Sequence, residues 1–312
     1  MSYRTVLAGT ATLALLAAPA VAQEFGPLLT PAELAEVRTS VDPLVIDIRA
    51  FDEAYAQGHI PGAVSAPYAL FRGPSENPGM PPSEEALTAV LQDLGVETDR
   101  PVVVVHQGSD VTDFGAAARV YWTLKSSGVE DLAILNGGVT AWQDAGLELS
   151  TEIVDAPDSD IVVSFSTEWM ASAEDVQAAI DAGEGSLLLD ARPESFWNGE
   201  QAHPAAARPG TLPQSQYFVH DSWFSSGPVI VDAAAARALA EEQDFTGAEQ
   251  IISFCNTGHW AATNWFALSE LAGIDDVKLY PESMVGWSNA GYEMANAPGM
   301  LENLRNQVFG NN

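Results

Sequence analysis

The chain has 312 residues, with 12 Lys and Arg against 43 Asp and Glu, for a formal net charge of −31. A surface of that sign rejects nucleic acid and anionic membrane, because both need clustered cations for contact. One cysteine in the whole chain excludes an intramolecular disulfide, so stability must come from buried core.

The N-terminus reads as an export signal over residues 1–22. Arg4 supplies the positive start, Val6 to Ala18 is an uncharged apolar run, and Ala20-Val21-Ala22 is a small-x-small cleavage site. The mature chain is expected to begin at Gln23 and to act in the periplasm. The apolar run is too short to span a bilayer, and no later run approaches that length.

Short apolar strands then alternate with amphipathic helical stretches, as at Pro31 to Arg38 and Ala173 to Asp181. The alternation predicts α/β domains, each a mostly parallel sheet flanked by helices. The pattern occurs twice. Leu44-Val45-Ile46-Asp47-Ile48-Arg49 parallels Leu187-Leu188-Leu189-Asp190-Ala191-Arg192, and the strand at Val102–Val105 parallels Ile251–Phe254. Gly128 to Trp142 spans 14 positions, and so does Gly273 to Trp287. These matches predict an N-terminal domain at 23–154, a polar, turn-prone linker at 155–160 and a C-terminal domain at 161–312. Trp142, Trp265 and Trp287 are expected in the cores.

The copies are not chemically equivalent. Cys255 closes the second strand, followed by a turn of Asn256, Thr257, Gly258, His259 and Trp260 and then by an Ala-rich helix. Turn amides and a helix start stabilise an anion and lower a thiol pKa from its usual ~8.5. A cysteine closing an apolar strand can also be a small buried hydrophobe; the strand–turn–helix context favours a nucleophile. In the first copy His106 takes the cysteine position. His106 to Gly128 is 22 positions, against 18 from Cys255 to Gly273, which suggests an insertion in the turn. Imidazole carries no sulfur, so the first domain is expected to be structural, with His106 a loop residue or a wall of the interdomain cleft.

Taken together, Asp47-x-Arg49, Gly58-His59-Ile60-Pro61-Gly62-Ala63, Leu135-Asn136-Gly137-Gly138 with Trp142, Asp190-x-Arg192-Pro193 and the cysteine turn resemble the tandem-domain rhodanese family of sulfurtransferases. The resemblance covers essentially the whole mature chain. It implies an inactive first domain, an active second one, a pocket near their interface, and ping-pong transfer through a Cys255 persulfide. Arg192 is then the leading candidate to bind an anionic donor, the competing reading being an ion pair with a neighbouring carboxylate. Asp190 would anchor Arg192, and Arg208 would stand near the mouth. His259, when protonated, would supply charge or donate to the leaving sulfite, and Trp260 would form a pocket wall. No metal or organic cofactor is implied; the partners are small sulfur donors and acceptors, with a periplasmic protein acceptor also open.

The turn departs from both subtypes of that family. Asn256 and Thr257 stand where thiosulfate-using members carry basic residues. Ser195 stands where mercaptopyruvate-using members carry another arginine, although Thr257 and Gly258 echo their turn. Thiosulfate is the preferred donor, with 3-mercaptopyruvate the alternative, because mercaptopyruvate is cytosolic and this chain reads as exported. A cysteine phosphatase would need an arginine six positions after the cysteine, where Ala261 stands. A non-catalytic carrier of sulfane sulfur would present the same site.

Overall fold

The computed structural model describes residues 25–299, so the stretch 1–22, expected from sequence to be an export signal, lies outside the described residues. The first domain is a parallel sheet in the order β1-β5-β4-β2-β3, formed by β1 (Leu28–Leu29), β2 (Leu44–Asp47), β3 (Val64–Ser65), β4 (Val102–Val105) and β5 (Leu132–Leu135). The second is a parallel sheet in the order β7-β6-β8-β9, from β6 (Ser186–Asp190), β7 (Gln216–Tyr217), β8 (Gln250–Phe254) and β9 (Val277–Leu279). Helices cover both faces of such sheets, which is why the central strands read as unbroken apolar runs. Asp47 and Asp190 are acidic exceptions, and both are fully buried at strand ends.

The first domain carries α1 (Pro31–Ser40), α2 (Glu84–Asp93), α3 (Val111–Ser126) and α4 (Gly138–Asp144). The second carries α5 (Ala173–Ala182), α6 (Glu194–Trp197), α7 (Ala233–Glu242), α8 (Trp260–Phe266) and α9 (Ser283–Asn289). The two helices anticipated from periodicity, α1 and α5, each open on a capping box, Thr30 with Glu33 and Ser172 with Asp175. Trp142, Trp265 and Trp287 lie in the cores as expected.

The polar stretch at 155–160 belongs to a longer extended connection without regular structure. It stays on the first domain: Ser159 N donates to Gln92 O, Val163 N to Thr88 Oγ1 and Ser166 N to Ser126 O. Ile161 and Val163 are buried in that domain's core.

One hydrophobic cluster spans both domains, and each domain has a further cluster of its own. α3 is buried around most of its circumference because α8 packs on the side away from its own sheet. Phe114 and Tyr121 of α3 meet Phe266 edge-on, at ring separations of 5.6 and 5.1 Å. Burial of each such ring contributes about 1.5–3 kcal/mol, so the seam is as much core as interface. Glu270, in the π-helical turn Ala267–Leu271 that continues α8, accepts from Tyr121 Oη at 2.7 Å and Lys125 Nζ at 2.9 Å. The seam therefore holds the first domain's α3 against the helix that follows the cysteine.

Candidate active site

Cys255 follows the last residue of β8 directly and is 1% exposed. Its own amide donates to Ser283 Oγ at 3.0 Å, and the Gly258 amide donates to the same oxygen at 3.2 Å. Ser283 Oγ in turn donates to Tyr280 O at 2.8 Å. The amides of Asn256, Thr257, His259 and Trp260 have no hydrogen-bond partner among the described residues. Four free donors in one loop beside a sulfur can stabilise a thiolate or persulfide.

Ser283 was not singled out from sequence, yet the repeat held its signal. Counted from the glycine that opens each matching stretch, Ser283 stands where the first copy has Gly138. Gly138 has φ +60° and Ser283 φ +50°. A side chain in left-handed backbone costs roughly 1–2 kcal/mol. The strain is retained where the hydroxyl fixes two amides of the cysteine loop.

Gly258, at φ +66°, is required for a second reason. A Cβ there would strike Arg119 Nη1 and would lie 2.5 Å from Pro281 O. Arg119 comes from α3 of the first domain. It donates to Gly258 O at 3.3 Å and to Gly79 O at 2.7 Å, with its guanidinium 5.0 Å from the Trp122 ring centre. The side chain is fully buried, and its Nε has no partner. Burial foremost, then the like charge of Arg72, lowers its pKa from 12.5 to about 9; Tyr68 and Cys255 act in the opposite direction.

Arg192 and Asp190 are found together. Arg192 donates from Nε to Asp190 Oδ1 at 2.8 Å, and from Nη2 to Asp190 Oδ2 at 2.6 Å and Gly210 O at 2.9 Å. Its Nη1 reaches Asn256 Oδ1 at 3.3 Å. The first domain repeats this clamp: Arg49 binds both oxygens of Asp47, Gly58 O at 2.7 Å and Gln107 Oε1 at 3.0 Å. Gln107 follows His106 as Asn256 follows Cys255. A clamp present in a copy without the cysteine is part of the fold, and it sets the residue after the nucleophile. Arg208 is exposed and donates to Tyr292 O at 2.6 Å; it has no hydrogen bond to the cysteine loop.

His259 differs from its expected role. Its side chain crosses to the first domain, with Nε2 2.7 Å from Thr112 O and Nδ1 2.9 Å from Tyr68 Oη. A carbonyl only accepts, so Nε2 carries the proton and Nδ1 accepts from Tyr68. Arg72 Nη1 donates to Tyr68 Oη at 3.0 Å. Burial foremost, then the charge of Arg72, lowers the His259 pKa to about 4. At neutral pH it is an uncharged link to Tyr68, and its ring supplies no positive charge. Gly115 admits this docking, since a Cβ there would lie 2.9 Å from the imidazole. Trp260 forms a wall, stacked 5.1 Å from His220 and edge-on to Phe196 at 6.0 Å.

The corresponding site of the first domain is closed by its own side chain. The turns are equal in length, 106–110 and 255–259, so the four extra residues do not lie in the turn as expected. They add one helical turn: α3 has 16 residues, whereas α8 has seven and its π continuation five. Asp113 lies in the first turn of α3, where α8 has Ala262, and its Oδ2 accepts from Gly108 N at 2.6 Å, Ser109 N at 3.2 Å and His106 Nδ1 at 2.9 Å. Burial alone would raise the Asp113 pKa, but the His106 bond and the loop amides bring it below its usual value. A carboxylate fills the cradle, and His106 is buried under it.

The architecture defines a tandem α/β protein with a buried cysteine in a loop of unpartnered amides, placed where the second domain's strand meets the first domain's helix. Residues 30–145 and 172–290 each match the rhodanese-like domain, and the chain belongs to that family. It is 29% identical over 238 residues to the 3-mercaptopyruvate sulfurtransferase of Escherichia coli, covering 75% of this chain and 82% of that protein. It is 27% identical over 263 residues to a thiosulfate sulfurtransferase of Azotobacter vinelandii, covering 84% and 94%. The crystal structure of SseA from Escherichia coli superposes with a TM-score of 0.71 at 26% identity, over 82% of this chain and 98% of that one.

Proposed function

We propose that this sulfurtransferase moves a sulfane sulfur from thiosulfate to a thiol or cyanide acceptor through a persulfide on Cys255. The observation that carries the reading is the buried Cys255 in a loop with four unpartnered amides, while two further amides are tied to Ser283. The Cys255 thiolate attacks the outer sulfur of thiosulfate. A new S–S bond forms, the donor's S–S bond breaks, and its electron pair leaves with sulfite. An acceptor thiolate or cyanide then attacks the terminal persulfide sulfur, and the Cys255 thiolate departs with the other electron pair. The free amides stabilise the terminal charge between the half-reactions, as an oxyanion hole does.

Within this reading Arg192 acts through Asn256 as a positioning residue, and Asp190 fixes Arg192. Arg208 takes no part in the sulfur step. The preference for thiosulfate over 3-mercaptopyruvate rests on the leader-like residues 1–22, which also motivate a periplasmic site of action. A protein thiol can serve as acceptor by the same chemistry. Steady-state transfer to cyanide, measured side by side with the two donors, tests the reading. It expects parallel double-reciprocal lines and a higher kcat/KM for thiosulfate; a higher value for mercaptopyruvate would overturn the donor assignment.

A further inference from the structure

Among the described residues, no cation of the second domain has a free hydrogen-bonding group at the cysteine loop. Asn256, Thr257 and Ser195 are uncharged, Arg192 is held by Asp190, and Arg208 is bonded to Tyr292 O away from the loop. The first domain supplies two arginines instead. Arg72 and Arg119 are close enough to repel one another, and among the described residues neither has a carboxylate within ion-pair distance. The sequence offers 43 carboxylates for 12 cations, so two neighbouring arginines without a carboxylate, one bonded to Gly258 O and the other joined to His259 through Tyr68, mark a place where the counter-ion comes from outside the fold. Arg119 is buried and committed to two carbonyls. Arg72 is half-buried, and its guanidinium has a single hydrogen bond, to Tyr68 Oη. Tyr68 and His259 then connect it in two hydrogen bonds to the cysteine loop.

We propose that Arg72, reaching over from the otherwise inactive domain, is the residue that binds the anionic end of the sulfur donor and sets the preference for a dianion. Its remaining N–H groups hold the sulfonate oxygens of thiosulfate, which leave as sulfite when the outer sulfur passes to Cys255. The Arg72–Tyr68–His259 chain fixes the guanidinium relative to the loop. This inference rests on the persulfide reading and deepens it.

Arg72→Gln and Arg72→Lys test it, with thiosulfate as the dianion and methanethiosulfonate as a monoanion that yields the same persulfide and a sulfinate. A charged hydrogen bond is worth about 1.5–3 kcal/mol, roughly a ten- to hundredfold effect. Arg72→Gln should raise the thiosulfate KM by about that factor, raise the methanethiosulfonate KM less, and leave cyanide release of sulfur from preloaded enzyme unchanged. Arg72→Lys, which keeps the charge, should recover most of the loss. If wild type loads sulfur on Cys255 and Arg72→Gln loads from thiosulfate with unchanged KM, the inference fails while the persulfide reading stands. Equal losses with both donors, or no rescue by lysine, also overturn it. Failure of wild type itself to load would remove the reading beneath it.

Discussion

Replacing Gly258 by alanine should disable the cysteine loop, and a second glycine provides the control. Gly258 and Gly273 have nearly the same backbone, φ +66° and +64°. Alanine at either costs about 1–2 kcal/mol of left-handed strain. At Gly273 nothing lies within 4 Å of the new Cβ, so the cost ends there. At Gly258 the Cβ meets the Arg119 guanidinium and lies 2.5 Å from the backbone carbonyl of Pro281. Overpacking of this kind adds about 1–3 kcal/mol. Gly258→Ala should therefore lose about 2–5 kcal/mol in total, against about 1–2 for Gly273→Ala. Moving the loop would also strain the Arg119 bond to Gly258 O and the Gly258 amide bond to Ser283. Urea unfolding of both variants, with the rate of sulfur loading from thiosulfate, measures the difference. Equal stability losses, or wild-type loading by Gly258→Ala, would refute the crowding at this residue.

Three further outcomes are expected. Arg192→Lys, which loses the forked geometry, should lower kcat by freeing Asn256 with a smaller change in KM. Arg49→Lys should cost similar stability, about 1–3 kcal/mol, and leave kcat intact; a parallel kcat loss in both would contradict the positioning role. Ser283→Gly should relieve about 1–2 kcal/mol of strain and lose an acceptor for two amides worth about 1 kcal/mol each. Its melting temperature should stay near wild type while loading slows; unchanged loading would dismiss the hydroxyl. The His259 pKa of about 4 lies below its unfolded value, so the unfolded chain binds more protons between about pH 6.5 and 4. Stability present above pH 6.5 is then lost on acidification, by about 1–3 kcal/mol. His259→Gln should flatten that loss and still load sulfur at neutral pH, whereas a variant whose unfolding free energy shows the wild-type pH dependence would contradict the neutral link.

The repeat, the parallel α/β class and the cysteine were legible because they are local: apolar runs, turn glycines and a strand–turn–helix order appear in consecutive residues. The linker expected from composition, 155–160, is shorter than the extended connection because Ile161 and Val163 pack on a domain that precedes them, and no sequence spacing reports that contact. The supposed turn insertion shows a similar limit. Spacing located four additional residues between His106 and Gly128, but only the fold reveals that they lengthen α3 and that Asp113, in the first turn of that helix, fills the cradle. Arg72, Tyr68 and Arg119 carried no motif of their own. They matter because the α3–α8 seam brings the first domain against Gly258 and His259, a tertiary fact. Ser283 could have been found as a non-glycine at the repeat position of Gly138.

Sulfur on Cys255 is most directly tested by intact-protein mass spectrometry of freshly reduced protein incubated with thiosulfate and then with cyanide. Wild type should gain the mass of one sulfur atom and lose it again as thiocyanate forms, and Cys255→Ser should gain nothing. Sulfur bound equally by the serine variant, or none taken up by reduced wild type, would contradict the account.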